Sequence, residues 1–135
     1  MKTVLVTGAS SGVGAATARG LVKQGMQVAR SADRLNARAD ELGALAIPLA
    51  CDAADPQEVA ALAKRVTTDF GVPDAIIHCA GAGQWKTVQD TDPAEAVMMM
   101  RAPYFAAFNI THAFLASMLL RGSGVIINVN SPACI

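Results

Sequence analysis

Thr7-Gly8-Ala9-Ser10-Ser11-Gly12-Val13-Gly14 sets glycines and hydroxyls between the apolar run Thr3-Val4-Leu5-Val6 and a helix-like pattern. That combination suits the holding of a phosphate. Gly8 supplies the positive φ of a tight strand-to-helix turn. Gly12 and Gly14, without a Cβ, let a pyrophosphate and a neighbouring strand come close to the backbone. Free N–H groups of the first helical turn would face the anion, backed by about half a positive charge from the helix dipole. Thr7, Ser10 and Ser11 add hydroxyls that bind phosphate or brace the turn. The spacing is Gly-x-x-x-Gly-x-Gly, and no Lys-Ser or Lys-Thr follows as a mononucleotide P-loop requires, which favours a dinucleotide over ATP. The bland alternative is a glycine turn with no ligand. A second group, Asn128-Val129-Asn130-Ser131, closes the last apolar run. A hydroxyl there stands where open α/β sheets bind ligands, although simple turn chemistry would use the same residues.

The elements that must position these groups alternate along the chain. A first helix spans about Gly12 to Lys23, with Val13, Ala16, Leu21 and Val22 as its inner face and Gly25 closing it. A brief strand, Gln27-Val28-Ala29, precedes a short helix from Arg34-Leu35 to Leu42. The strand Ala46 to Cys51 contains Pro48, which cannot donate to a ladder on one side and so belongs at a sheet edge. Asp55-Pro56-Gln57-Glu58 opens a helix with an N-cap, a first-turn proline and a carboxylate for a capping box. Val59, Leu62, Val66 and Phe70 share one of its faces, and Gly71 ends it. The continuous apolar run Asp74 to Cys79 suits a central strand covered on both faces. Asp92-Pro93-Ala94-Glu95 opens a helix reaching about Leu120, which Pro103 should kink or break, and Val125 to Val129 forms a final strand. Alternation of this kind predicts an α/β fold, a Rossmann-type doubly wound parallel sheet in the order 3-2-1-4-5.

Composition narrows the partners. The chain has 135 residues, enough for one domain with a real core, 53% of them hydrophobic and 16% charged. Basic and acidic side chains balance at 11 each, so no field favours nucleic acid or an anionic membrane. The partner expected is a small molecule. The apolar start is too short for a secretory core and no stretch reaches the length of a membrane span, which reads as a cytoplasmic protein. Cys51, Cys79 and Cys134 have neither metal spacing nor a disulfide framework and read as small buried residues. The methionines at 98 to 100 read as core filler, and Trp85 and His112 as packing or pocket-wall residues. His78 reads as a satisfied central-strand residue rather than a base.

With these blocks in order, the whole chain resembles the short-chain dehydrogenase/reductase family. Thr7 to Gly14 is similar to that family's TGxxxGxG cofactor turn. Asp52, followed by Ala53, matches the aspartate that contacts the adenine ring. Phe70 to Ile77 resembles the approach to the family's Asn-Asn-Ala-Gly motif, and Asn128 to Ser131 resembles the end of its fifth strand, where Ser131 would be the catalytic serine. The resemblance implies hydride transfer between nicotinamide and a carbonyl or secondary alcohol. It places the cofactor against Thr7, Gly8, Ser10, Ser11, Gly12, Val13, Gly14, Arg30, Asp52, Ala53, Cys79, Ala80 and Gly81. It also makes a homo-oligomer an expectation.

The departures from the family pattern are as informative. His78-Cys79-Ala80-Gly81 stands at the Asn-Asn-Ala-Gly position, which removes the amides and keeps the Ala-Gly turn. Met99 takes the place of an asparagine that helps hold a relay water, and a thioether cannot replace that amide. Arg30 follows the second strand where an acidic residue would bind the ribose of NAD. A guanidinium there suits a 2′-phosphate, favouring NADP(H) over NAD(H), against the plainer reading of a surface arginine paired with Asp33. The family's acid is a Tyr whose pKa is lowered by a Lys one helical turn later, downstream of the serine. Here Tyr104 is the only tyrosine, upstream of Ser131, and Phe108 stands four residues on. The expectation is a cofactor-binding half that is truncated after strand five and inactive alone, with Phe105, Phe108, Phe114, Leu115, Met118 and Leu119 left bare. The competing expectation is a non-catalytic dinucleotide-binding module.

Overall fold

Short, largely apolar runs form most of the strands here, and the runs with helical periodicity form helices. The computed structural model describes residues 1–32, 43–81 and 83–130. In chain order the elements are β1 (Thr3–Thr7), α1 (Gly12–Lys23), β2 (Gln27–Ala32), β3 (Ala46–Ala50), α2 (Pro56–Phe70), β4 (Ala75–His78) and α3 (Pro93–Met100). A π-helical turn over Arg101–Phe105, α4 (Ala106–Arg121) and β5 (Val125–Asn128) follow. The helix expected from Arg34 to Leu42 lies outside the described residues.

All strand pairs are parallel and the order is β3-β2-β1-β4-β5, as the alternation predicts. Pro48 sits on the β3 edge, where its missing N–H costs no ladder bond on the outer side. The central β1 is buried along its full length, and its alternate residues serve two cores. Leu5 joins Leu49 and Ile76 under α2 and α4, whereas Val4 and Val6 join Val28 and Ile77 under Ala18 of α1. The helices therefore cover both faces of the sheet.

Several local expectations change in three dimensions. The buried side of α1 is Gly14 and Ala18, with Leu21 and Val22 packed beside them, while Val13 is 58% exposed and Ala16 is exposed as well. The glycine turn sets the phase of this helix, bringing Gly14 against the turn and leaving Val13 outward. In α2 the expected face holds: Val59, Leu62 and Val66 are buried, with Phe70 packed against them. Strand β2 runs to Ala32, past the expected Ala29, because pairing with Leu49 and Ala50 of β3 extends it.

Pro103 neither breaks nor ends the long helix. The missing N–H and the ring's clash with the carbonyl one turn back are absorbed in the π turn, and α4 continues. The continuous helix Pro93–Arg121 has 29 residues and contains an 18-residue stretch of mean hydropathy 1.2. Contrary to the expectation from sequence, one stretch is thus long and apolar enough to span a membrane. Its stripe of Ala106, Ile110, Phe114 and Met118 nevertheless packs on the sheet as protein core. Burial of Phe114 and Met118 corrects the expectation that both are bare, while Phe105, Phe108, Leu115 and Leu119 do lie exposed. Arg121 secures the end of α4 by donating to the carbonyls of Val72 and Pro73, both at 2.7 Å.

Candidate functional site

The C-terminal ends of β1, β3 and β4 open into one cleft of about 640 Å³ between the glycine turn and the long helix. Thr7, Gly8, Ser10, Ser11, Gly12 and Val13 form one wall. Cys79, Ala80 and Gly81 form the floor after β4, and Asp52 and Ala53 line the far end after β3. The structure thus gathers the cofactor-facing residues expected from sequence, except Gly14, into one place, while the Arg30 side chain lies outside what the structure describes. Ser131 lies outside the described residues, although Val129, two positions before it, borders the cleft.

Gly8 has φ +65° and packs against the chain leaving β4. A Cβ there would stand 2.6 Å from both the N and Cα of Ala80. Gly14 is buried for a related reason, since a Cβ on it would collide with the carbonyl of Gly8. Gly12 differs from both. Its φ is +53°, yet a Cβ on it would meet nothing within 4 Å and would project into open space beside the cleft. The turn is therefore tight on its inner side and open on the ligand side. Ser11 is the N-cap of α1 in extended conformation and makes no side-chain cap bond, so the helix's first N–H groups are left facing outward. Thr7 Oγ1 is buried at the cleft wall with no hydrogen-bond partner among the described residues. This donor set, with the space a Cβ would take, fits a phosphate-bearing dinucleotide.

At the other end, Asp52 is held on all sides. Its N–H donates to Glu58 Oε2 at 2.7 Å, and its Oδ1 accepts from Ala54 N–H at 2.9 Å. Arg101 Nη2 donates to its Oδ2 at 2.6 Å. Glu58 therefore does not close a capping box on Asp55; it reaches further back to Asp52, while Asp55 itself caps α2 through Gln57 and Glu58 N–H. Asn109 of α4 donates to the Ala53 carbonyl at 3.1 Å. Sequence reasoning missed Arg101 and Asn109, because contacts across 49 and 56 residues leave no local signal.

His78 ends β4 opposite Thr7 of β1 and Asn128 of β5. It is buried, with its Nε2 3.0 Å from Thr111 Oγ1 on α4, so the imidazole ties the sheet to the helix. Only half of the expected satisfaction is present, since Nδ1 has no partner among the described residues. Burial lowers its pKa and keeps it neutral. Burial likewise raises the pKa of the Cys79 thiol, opposed by a hydrogen bond with Thr17.

Other expectations are corrected. Arg30 lies within β2, paired with Val6 and Pro48, rather than after the strand, because the ladder to β3 carries β2 on to Ala32. The methionines are not core filler: Met98 borders the cleft and is 61% exposed, Met100 is exposed and only Met99 is half-buried. Trp85 is 90% exposed and does not line this cleft, and His112 stacks on Phe108 at the surface. Cys51 is buried and Cys79 half-buried, while Cys134 and Asp33 lie outside the described residues.

Comparison with known proteins gives a consistent picture. The profile of the family described as short chain dehydrogenase matches residues 2–135. An uncharacterized oxidoreductase of Staphylococcus haemolyticus is 33% identical over 134 residues, covering 96% of this chain and 58% of that protein. A short-chain dehydrogenase of Streptomyces avermitilis superposes with a TM-score of 0.91 at 31% identity, covering 97% of this chain and 50% of that one. A metagenomic short-chain oxidoreductase solved in complex with NADP gives 0.89 at 32% identity, covering 98% and 62%. The chain thus spans less than two thirds of each of these relatives.

Proposed function

The chain belongs to the short-chain dehydrogenase family, and from that premise we propose that it is the dinucleotide-binding part of an NAD(P)-dependent oxidoreductase acting on a carbonyl or secondary alcohol. The observation that carries this reading is the cleft itself: a glycine turn closed on its inner side and open at Gly12, facing a fixed carboxylate at Asp52. When bound, a nicotinamide dinucleotide supplies or accepts the hydride.

The chain's own residues do the rest of the binding work. The turn from Gly8 to Gly14 and the first N–H groups of α1 hold the pyrophosphate, with the Thr7, Ser10 and Ser11 hydroxyls beside it. Asp52 accepts a hydrogen bond from the adenine amino group, with Ala53 next to it. The backbone of Cys79, Ala80 and Gly81 forms the floor along which the dinucleotide extends. Ser131 hydrogen-bonds the substrate oxygen, and the family's Tyr-x-x-x-Lys acid has no counterpart among these residues. Turnover by this chain alone is therefore expected to be negligible while binding persists. We assign NADP(H) over NAD(H) on the cation Arg30 in β2 and on the NADP held by a relative of the same fold. A cytoplasmic setting and self-association through the exposed face of α4 complete the reading.

Titration with NADPH and with NADH, followed by nicotinamide fluorescence, tests it. Binding of both with NADPH tighter is expected. Tighter NADH binding overturns the cofactor preference, and binding of neither overturns the function.

A further inference from the structure

We infer that Arg101, presented by the π turn, is the positioning residue that makes Asp52 a selective reader of the base at the adenine end of the cleft. The inference rests on reading the cleft as a dinucleotide site, and it names a residue that neither the glycine turn nor the strand ends would suggest.

Asp52 sits in the segment that follows β3. Three bonds local to it fix its backbone: Asp52 N–H to Glu58, Asp55 N–H to the Asp52 carbonyl at 2.9 Å, and Ala54 N–H to Asp52 Oδ1. These leave Oδ2 free to swing, since a single bond to Oδ1 does not fix the carboxylate plane. The remaining restraint comes from the long helix, where Arg101 Nη2 holds Oδ2 at 2.6 Å. Asn109, two turns further on, holds the next carbonyl, that of Ala53, at 3.1 Å. Arg101 and Asp52 both line the cleft. With its plane fixed and its charge balanced, the carboxylate keeps unused lone pairs for a donor in the cleft without repelling the phosphates of the same ligand.

Two considerations separate this role from plain structural support. The side chains of the pair are 42% and 38% exposed, and ion pairs of that exposure contribute little to folding. A fixed acceptor also has a chemical signature: it favours the exocyclic amino group of adenine and rejects the 6-oxo group of hypoxanthine, which would leave oxygen facing oxygen.

The test measures the dissociation constants of the reduced adenine dinucleotide and its hypoxanthine analogue for the full chain and its variants. The unaltered protein should prefer the adenine form by about 10-fold or more. Asp52→Ala and Arg101→Met should both bring that ratio below about 3, with Arg101→Lys recovering most of it, because one donor to Oδ2 suffices. The melting temperature of Arg101→Met should stay within about 4 °C of the parent. Equal loss for both ligands, or no loss, in Arg101→Met overturns the inference. A ratio that survives Asp52→Ala overturns it through the adenine assignment, with dinucleotide binding intact. Failure of the unaltered protein to bind either ligand overturns the functional reading beneath it.

Discussion

Gly12→Ala and Gly8→Ala alter the same turn by one methyl group each, and the structure gives them opposite consequences. At Gly12 the backbone is left-handed, φ +53°, and the new Cβ meets nothing within 4 Å. The folded protein bears only the left-handed conformation of a non-glycine residue, about 1–2 kcal/mol. For a domain of this size that lowers Tm by roughly 4–8 °C. The methyl group, however, occupies the space where a pyrophosphate would approach the backbone, so dinucleotide affinity should fall about 100-fold, roughly 2.7 kcal/mol. At Gly8 the conformational cost is similar, but the Cβ would stand 2.6 Å from the backbone N and Cα of Ala80, which cannot move as a side-chain end can. Overpacking against backbone raises the total to about 3 kcal/mol or more, a fall in Tm of about 12 °C or outright failure to fold. Thermal melts and fluorescence titration with NADPH on both variants distinguish the two effects. A Gly12→Ala protein that binds NADPH like the parent refutes the phosphate assignment. A Gly8→Ala protein as stable as Gly12→Ala refutes the packing argument.

Other outcomes follow from the same structure. Burial lowers the pKa of His78, so below about pH 6.5 the unfolded chain takes up a proton that the folded one does not. Stability in urea should therefore decline as pH falls from about 6.5 towards the lowered folded value, and His78→Asn should flatten that limb; an unchanged limb argues against the assignment. Phe114→Ala, which empties a fully buried ring site between α4 and the sheet, should cost about 3–5 kcal/mol in denaturant titration. Asp55→Ala removes the carboxylate that accepts from Gln57 and Glu58 N–H and should cost about 1 kcal/mol, with a loss under a few tenths showing that solvent replaces it.

The architecture was largely legible because the signals that set it are local. The strand order follows from alternating patterns and from Pro48, whose missing donor restricts β3 to an edge. The glycine turn and the aspartate after β3 were readable by type and spacing, and the structure brings them to one cleft. What escaped depends on partners remote in sequence. β2 looked short because Arg30 and Ser31 are polar, yet the ladder to β3 overrides that preference. The inner face of α1 was misjudged because the close approach of Gly14 to Gly8, rather than hydrophobic periodicity, sets the helix's rotation. Glu58 looked like a capping-box partner at the correct spacing, but the nearby Asp52 N–H claims it. The Arg101–Asp52 pair could be seen only once the long helix had been laid across the end of β3.

The π turn at Arg101–Phe105 also acts as a phase adjuster. An α-helix advances about 100° per residue, so one residue absorbed in a wider turn rotates everything after it by that angle relative to everything before. Met98, before the turn, and Arg101, its first residue, are thereby free to face the cleft, while the stretch after the turn aims Ala106, Ile110, Phe114 and Met118 at the sheet. Excising a single residue from the turn would leave an unbroken helix of good composition in which the two faces compete for one orientation. The packed stripe is the stronger of the two, so the chain would keep its core and lose its hold on Asp52.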